Sequence, residues 1–217
     1  MLIVINPDKL TQTPFFQQVI NFLWDNEDVT LRHIKKAFLD VEAIDKHIEA
    51  FVRAGYIIRS EKRYYLKLPL NEEISSLELD QMMFCDDCSD SYHQLMALEF
   101  ETCLKNSTND LLIFEKTDFQ RRRLSLSNYF SRLTRGQAVS DEQKPLFDLL
   151  GDVNEAYAMK YLTTFLAKFL RKDIVMQKRP DIFCQALVLL GYIEEVESTK
   201  YKLTMALDKE KMSFYAK

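Results

Sequence analysis

The spacing of apolar residues predicts three short helices in the first 55 residues. Thr13-Pro14 has the form of a helix cap with proline in the first turn, and an apolar stripe at helical spacing follows it. Thr30 can cap a second helix and Asp40 a third, since short oxygen-bearing side chains accept hydrogen bonds from free amides. The third predicted helix runs to Gly55, a residue that readily adopts the left-handed conformation found at helix ends.

A β-hairpin is predicted directly after Gly55. The runs Tyr56-Ile57-Ile58 and 64–68 are β-branched and aromatic, and the charged turn 60–63 separates them. The same ending recurs near the C-terminus, where an apolar helical run is followed by Gly191-Tyr192-Ile193 and a second strand at 201–205. This recurrence favours a structural duplication; the alternative is a chance repetition of three residues.

The region between the two hairpins is predicted to be helical. The candidate helices are Asp90 to Lys105, Thr117 through Arg135, Ser140 with Asp141 to Leu150, and a long amphipathic helix capped by Asp152. Residues 71–90 are acidic and begin with few apolar positions, so they are the best candidate for a linker.

Three helices that lead through glycine into a hairpin resemble a winged helix-turn-helix fold over about residues 10–68. The predicted fold class is therefore mainly α with small β-hairpins, in which two winged-helix-like units are joined by a helical middle region. The predicted domains are residues 1–70, a winged-helix-like domain; residues 71–150, an acidic linker and helical middle; and residues 151–217, a second winged-helix-like unit.

A second resemblance involves three stretches, namely 2–7 (LIVINP), 48–52 (IEAFV) and Gly55-Tyr56-Ile57. In these stretches the chain is similar to an uncharacterised family, a domain of unknown function, of low-G+C Gram-positive bacteria. The resemblance implies coverage of most of the chain. It brings no catalytic or binding residues that could be assigned here.

Composition excludes several classes of enzyme. Four glycines and three histidines cannot supply a dinucleotide-binding Gly-x-Gly-x-x-Gly, a P-loop or a His-Glu-x-x-His zinc motif, and none occurs in the sequence. No Gly-x-Ser-x-Gly elbow is present, although catalytic triads assembled in space stay possible. We expect no catalytic residues and no cofactor. No run of about 18 apolar residues occurs, so we expect no membrane span and a cytoplasmic location.

Cys85 and Cys88 have the spacing of metal ligands, and His93 and Cys103 could complete a tetrahedral set. The last two are single residues, whereas a structural zinc site usually has a second closely spaced pair. We therefore expect reduced free thiols and no metal.

Charge is distributed unevenly along the chain, whose formal net charge is −4. Residues 71–120 carry 12 acidic side chains and only two lysines. The densest basic stretch is Arg121-Arg122-Arg123, on a predicted helix. It is interpreted as a solvated face or a partner of the acidic block, with phosphate contact as the alternative.

The leading hypothesis is a DNA-associated regulatory or accessory protein without enzymatic activity, whose first unit contacts double-stranded DNA and whose C-terminal unit binds a protein partner or forms a homodimer. The alternative is a protein–protein interaction module that does not bind DNA, because the third helix is acidic through Glu42, Asp45 and Glu49. The candidate nucleic-acid-binding residues are Lys35, Lys36, Arg59, Lys62 and Arg63.

Overall fold

The computed structural model describes residues 1–70 and 77–216. Of these residues 37% are helical and 24% lie in strands, which form four sheets, so the protein is mixed α/β. The expectation of a mainly α-helical chain is therefore wrong. The middle region predicted to be helical is only partly so, because residues 99–118 contain two seven-residue strands, whereas helices form at 90–97, 126–134 and 144–150.

The chain divides into two compact units, Met1–Leu98 and Glu99–Lys217. In the N-terminal unit β1 pairs antiparallel with β5, and a separate three-stranded sheet has the order β2-β4-β3. The elements of this unit are β1 (Leu2–Ile5), α1 (Pro14–Asp25), β2 (Val29–Thr30), α2 (Leu31–Ala37), α3 (Ile44–Arg53), β3 (Ile57–Ser60), β4 (Arg63–Leu66), β5 (Met83–Asp86) and α4 (Asp90–Ala97).

Two of the three predicted helix caps of the N-terminal unit are confirmed. The hydroxyl of Thr13 accepts a hydrogen bond from the amide of Phe16, and Thr30 caps α2 in the same way. The third prediction is wrong, because α3 begins only at Ile44 and follows Ala43, whose φ of 52° is left-handed. Asp40 and Glu42 therefore precede α3.

Aromatic rings hold the N-terminal unit together. Phe16 of α1 is fully buried, and its ring centre lies 4.9 Å from that of Phe51, 5.3 Å from Tyr56 and 6.2 Å from Phe84. Phe84 belongs to β5, which forms within the predicted linker 71–90. Residues 71–76 of that linker lie outside the described residues. The strand β5 is thus part of the packed unit.

The C-terminal unit contains a four-stranded sheet of order β11-β12-β7-β6 and a three-stranded sheet of order β8-β10-β9. A 3₁₀ turn at Ala167–Leu170 follows its longest helix. The elements of this unit are β6 (Glu99–Lys105), β7 (Leu112–Asp118), α5 (Leu126–Thr134), α6 (Lys144–Leu150), α7 (Glu155–Leu166), β8 (Ile174–Met176), α8 (Ile182–Leu189), β9 (Ile193–Glu197), β10 (Lys200–Leu203), β11 (Ala206–Asp208) and β12 (Ser213–Tyr215).

The prediction of one helix from Asp90 to Lys105 is wrong in its second half, since helix α4 ends at Ala97 and strand β6 begins at Glu99. Likewise Thr117 does not cap a helix but lies within β7. The N-cap of α5 is Ser125, whose hydroxyl accepts a hydrogen bond from the amide of Asn128. The N-cap of α7 is an asparagine at position 154, two residues after the predicted Asp152.

A buried carboxylate links β7 to α5. Glu115 is 1% exposed and accepts hydrogen bonds from the amides of Leu126 at 2.9 Å and Ser127 at 2.7 Å, and from the hydroxyl of Tyr192. These amides belong to the first turn of α5, where negative charge is stabilised. Burial, together with the neighbouring Glu115, raises the pKa of Tyr192 well above its usual value.

The recurring Gly-Tyr-Ile segments have the same backbone geometry. Gly55 and Gly191 have φ of 83° and 71°. The amide of Tyr56 donates to the carbonyl of Phe51 at 3.1 Å, and the amide of Tyr192 makes the equivalent bond to the carbonyl of Leu187. Both are Schellman helix ends. The three-stranded sheets that contain the two hairpins also share one order. In each, a strand from before the helix pairs with the second hairpin strand, which in turn pairs with the first.

Among the described residues, no helix combines the length and the hydrophobicity needed to cross a lipid bilayer.

Candidate nucleic-acid interface

The five candidate DNA-contacting cations lie on three elements and one turn of the N-terminal unit. Lys35 and Lys36 are in α2, Arg59 is in β3, and Arg63 is in β4. Lys62 lies between the two strands, in a turn of two left-handed residues that favours a tight hairpin. The predicted hairpin is confirmed, with an antiparallel register from 57↔66 to 60↔63.

Two of these cations are paired with acids of α3. The ammonium of Lys35 lies 2.6 Å from a carboxylate oxygen of Asp45, and the guanidinium of Arg59 lies 3.1 Å from Glu49. A hydrogen bond with Tyr64, and then the charge of Glu49, raises the pKa of Arg59. The helix that would enter a DNA groove therefore holds its neighbouring cations through its own carboxylates.

The hairpin cations point to opposite faces of the sheet. Arg59 lies directly opposite Tyr64, which is buried on the helix side, so Arg59 shares that side. Arg63 is the neighbour of Tyr64 in the strand and therefore faces the other way, where its guanidinium pairs with Asp28 at 2.8 Å. The candidate cations consequently do not form one surface.

Lys36 and Lys62 differ from the other three. Both side chains are exposed, and neither takes part in an ion pair with another residue of the described ranges. Two unpaired lysines on different elements are a small charge for DNA binding, in which each phosphate contact adds to affinity.

The outer face of α3 carries equal numbers of acidic and basic side chains. The two acids are Asp45 and Glu49, the two bases are Lys46 and Arg53, and the guanidinium of Arg53 lies 3.9 Å from Glu49. His47 on the same helix is half-buried, with its ring centre 5.7 Å from that of Phe15. The face therefore has no excess of positive charge to offer a duplex.

Sequence reasoning missed an apolar pair on the open face of the same sheet. Ile58 and Tyr65 lie directly opposite each other in β3 and β4 and are 41% and 45% exposed. The sequence does contain a signal for this pair, because apolar residues occupy both odd and even positions of the predicted hairpin. Alternate residues face opposite sides of a sheet, so a hairpin that packs on one side leaves one of the two sets exposed.

The three consecutive arginines are not helical. They lie in the loop between β7 and α5, and Arg123 is 2.5 Å from Glu99. Main-chain carbonyls of this loop accept hydrogen bonds from the Arg132 guanidinium and from the buried Gln143 amide. The prediction that the three arginines lie on a helix is therefore wrong. The structure shows that Arg123 pairs with an acid of the predicted middle region.

The four cysteines are free thiols in the structure. Burial, followed by the charge of Asp86, raises the pKa of Cys85 to about 11. In the described ranges, the one group of three ligating side chains within 4.8 Å of one another is Asp86, Asp87 and Cys88. Both aspartates there contact the amino group of Met1, at 2.9 and 2.6 Å. His93 and Cys103 are not brought to this group.

Residues 2–98 match the model of a family described as a domain of unknown function, DUF1803. The expected resemblance to an uncharacterised domain is confirmed over this range only, which is less than half of the chain rather than most of it and ends at the same residue as the N-terminal unit. No curated protein and no solved structure matches the chain.

Proposed function

We propose that this chain is a non-enzymatic binding protein whose N-terminal unit has a winged-helix arrangement and binds another protein rather than DNA. The order helix, strand, two helices and hairpin, with the short strand β2 added beside β4, supports the winged-helix interpretation. The observation that carries the choice of partner is the state of the five candidate cations. Three are paired with acids of the same unit, and the hairpin directs Arg59 and Arg63 to opposite faces.

The open face of the sheet supports a protein partner. Ile58 and Tyr65 form an exposed apolar centre, and the pair of Arg63, in β4, with Asp28, directly before β2, lies beside it. An apolar centre with a charged rim is the usual composition of a protein interface. Phosphate groups would gain nothing from isoleucine, and an acidic unit repels them.

DNA binding is the second candidate, because Lys62 is exposed at the hairpin tip, where a wing meets the DNA backbone. A labelled duplex titrated at low salt and followed by fluorescence anisotropy separates the two. We expect no binding by the wild-type chain up to about 50 μM, a concentration at which non-specific contacts already appear.

The matched variant is Asp45→Lys with Glu49→Lys, which removes the carboxylates that pair with Lys35 and Arg59. It should bind the duplex with a steep salt dependence, because the same fold then presents a basic helix. Wild-type binding at low micromolar protein that is lost with Lys62→Glu would instead establish the DNA-associated alternative.

The C-terminal unit contributes the second binding surface, a homodimer or partner contact. Tyr157 and Tyr161 of α7 and Ile182 of α8 are exposed, and the rings of the two tyrosines lie 5.9 and 5.1 Å from that of Phe183, the residue after Ile182. Rigid, half-exposed aromatic rings are enriched where proteins associate.

Light scattering on the full chain at about 100 μM tests this surface. We expect a dimer, with Tyr157→Ser and Ile182→Ser together raising the dissociation constant by about tenfold or more, since apolar anchors carry most interface energy. If the wild-type chain has the mass of a monomer at that concentration, the surface does not form a homodimer, and the proposal is limited to contact with a different protein.

A further inference from the structure

Strand β8 lies at the edge of the three-stranded sheet of the C-terminal unit. It pairs with β10 on one side, and in the described part of the chain no strand lies on its other side. The amide of Gln177 donates to the carbonyl of Thr199 at 2.8 Å. Since bonded pairs alternate in an antiparallel ladder, Val175 bonds with β10, and the main-chain groups of Ile174 and Met176 point outward.

This open edge is apolar. Ile174 and Met176 are 50% and 55% exposed, whereas Val175 between them is buried. A cavity of about 590 Å³ adjoins the strand, and its walls are formed by Ala167, Lys168, Leu170, Arg171, Lys172, Val175 and Met176. A strand added to the edge could place one side chain in this cavity while its main chain bonds to β8.

Both ends of the strand are basic. Arg171 and Lys172 precede β8, and Lys178 and Arg179 follow it. All four side chains are exposed, and none forms an ion pair with a residue of the described ranges. Asp173 is the single acid in this stretch, so the edge carries an excess of positive charge.

The equivalent edge of the N-terminal unit shows that this charge is not required by the sheet. There β2 occupies the same position in the order of strands, but it has only two residues and follows Glu27 and Asp28. Lysines also protect exposed edges from aggregation. A purely protective edge, however, gains nothing from two exposed apolar side chains and an adjoining cavity.

We propose that the β8 edge binds an extended acidic segment of another protein by β-strand addition. The main chain of that segment bonds to Ile174 and Met176, an apolar side chain enters the cavity, and carboxylates face the basic residues at either end. Nucleic acid fits less well, because its phosphates offer no donor to the outward carbonyls of Ile174 and Met176 and use no apolar side chains. The proposal goes beyond the function given above and uses no residue of the N-terminal unit, so the two can fail separately.

The probe is a fluorescein-labelled peptide, Glu-Val-Glu-Ile-Glu-Val-Glu, titrated with the full chain and followed by anisotropy. We expect saturable binding that weakens as salt is added, because exposed charges are screened. Met176→Pro removes an outward N–H without breaking a bond to β10, and we expect it to weaken binding by about tenfold. Arg171→Glu with Lys172→Glu should weaken it by about tenfold as well.

The control is Lys209→Glu, an exposed charge reversal in the turn between β11 and β12, which should change binding by less than about twofold. Thermal unfolding followed by circular dichroism verifies that each variant is folded. The proposal is overturned if the peptide does not bind, or if neither Met176→Pro nor Arg171→Glu with Lys172→Glu changes its affinity. It is also overturned if a labelled oligonucleotide binds through Arg171 and Lys172 whereas the peptide does not.

Discussion

Glu115→Ala is expected to lower the free energy of unfolding of the C-terminal unit by about 3–5 kcal/mol, as for other buried charged groups whose partners are left behind. The truncation leaves the amides of Leu126 and Ser127 and the hydroxyl of Tyr192 without an acceptor in the core. Urea unfolding followed by far-ultraviolet circular dichroism measures the loss.

Two comparisons identify the cause. Tyr192→Phe removes one hydrogen bond and leaves two, so it should cost only about 1–2 kcal/mol. The single tryptophan, Trp24, lies in α1 of the N-terminal unit, and its fluorescence transition should be unchanged in both variants. A loss below about 1 kcal/mol for Glu115→Ala would mean that water replaces the carboxylate.

Phe16→Ala should destabilise the N-terminal unit by about 3–5 kcal/mol, the range for deletion of a fully buried phenylalanine. The ring contacts Phe51, Tyr56 and Phe84, so its loss opens a cavity between α1, α3 and β5. Trp24 fluorescence against urea should show an earlier midpoint. The core of the C-terminal unit contains none of these rings, and its transition should stay in place.

Phe147→Ala is the matched control, because the same atoms are deleted at a position that is 37% exposed. It should cost less than about 1 kcal/mol and should not shift the Trp24 transition. Equal effects of the two substitutions would contradict the description of Phe16 as the centre of an independent core.

Local signals were sufficient for two helix caps and for the hairpin of the N-terminal unit. Thr13 and Thr30 cap their helices, and Gly55 ends α3, because each of these roles depends on the residue itself and its near neighbours. The start of α3 was mispredicted, since Asp40 resembles a cap in type, while the chain turns later, at Ala43.

The hairpin of β9 and β10 was predicted, but the strands β6 and β7 were missed for a different reason. On the buried face of β7, Ile113 is followed by Glu115 and Thr117, so two of three inward positions are polar. Periodicity methods take hydrophobicity as the mark of burial, and a carboxylate satisfied by helix amides breaks that rule. The polar run 106–110, Asn-Ser-Thr-Asn-Asp, was the remaining signal of a turn.

The candidate interface was only partly accessible from sequence. The five cations were correctly placed on α2 and the hairpin, but the pairing of Lys35 with Asp45 and of Arg59 with Glu49 joins residues ten positions apart in different elements. The open edge at Ile174 was also beyond local reasoning, because whether a strand is an edge depends on every other strand in its sheet.

The parallel pairing of β12 with β7 affects how the chain is made. Leu112 pairs with Ser213, so β7, which already pairs with β6, emerges from the ribosome about 100 residues before β12 on its other side exists. At ordinary elongation rates this delay lasts roughly 5–20 s. The N-terminal unit also joins distant strands, since Leu2 of β1 pairs with Asp86 of β5, but all of this unit is synthesised by residue 98, before β12 is made. Nascent chains should therefore pass through a stage with one finished unit and a β6–β7 pair that is open on the side that β12 will occupy, the stage at which a chaperone would be most useful.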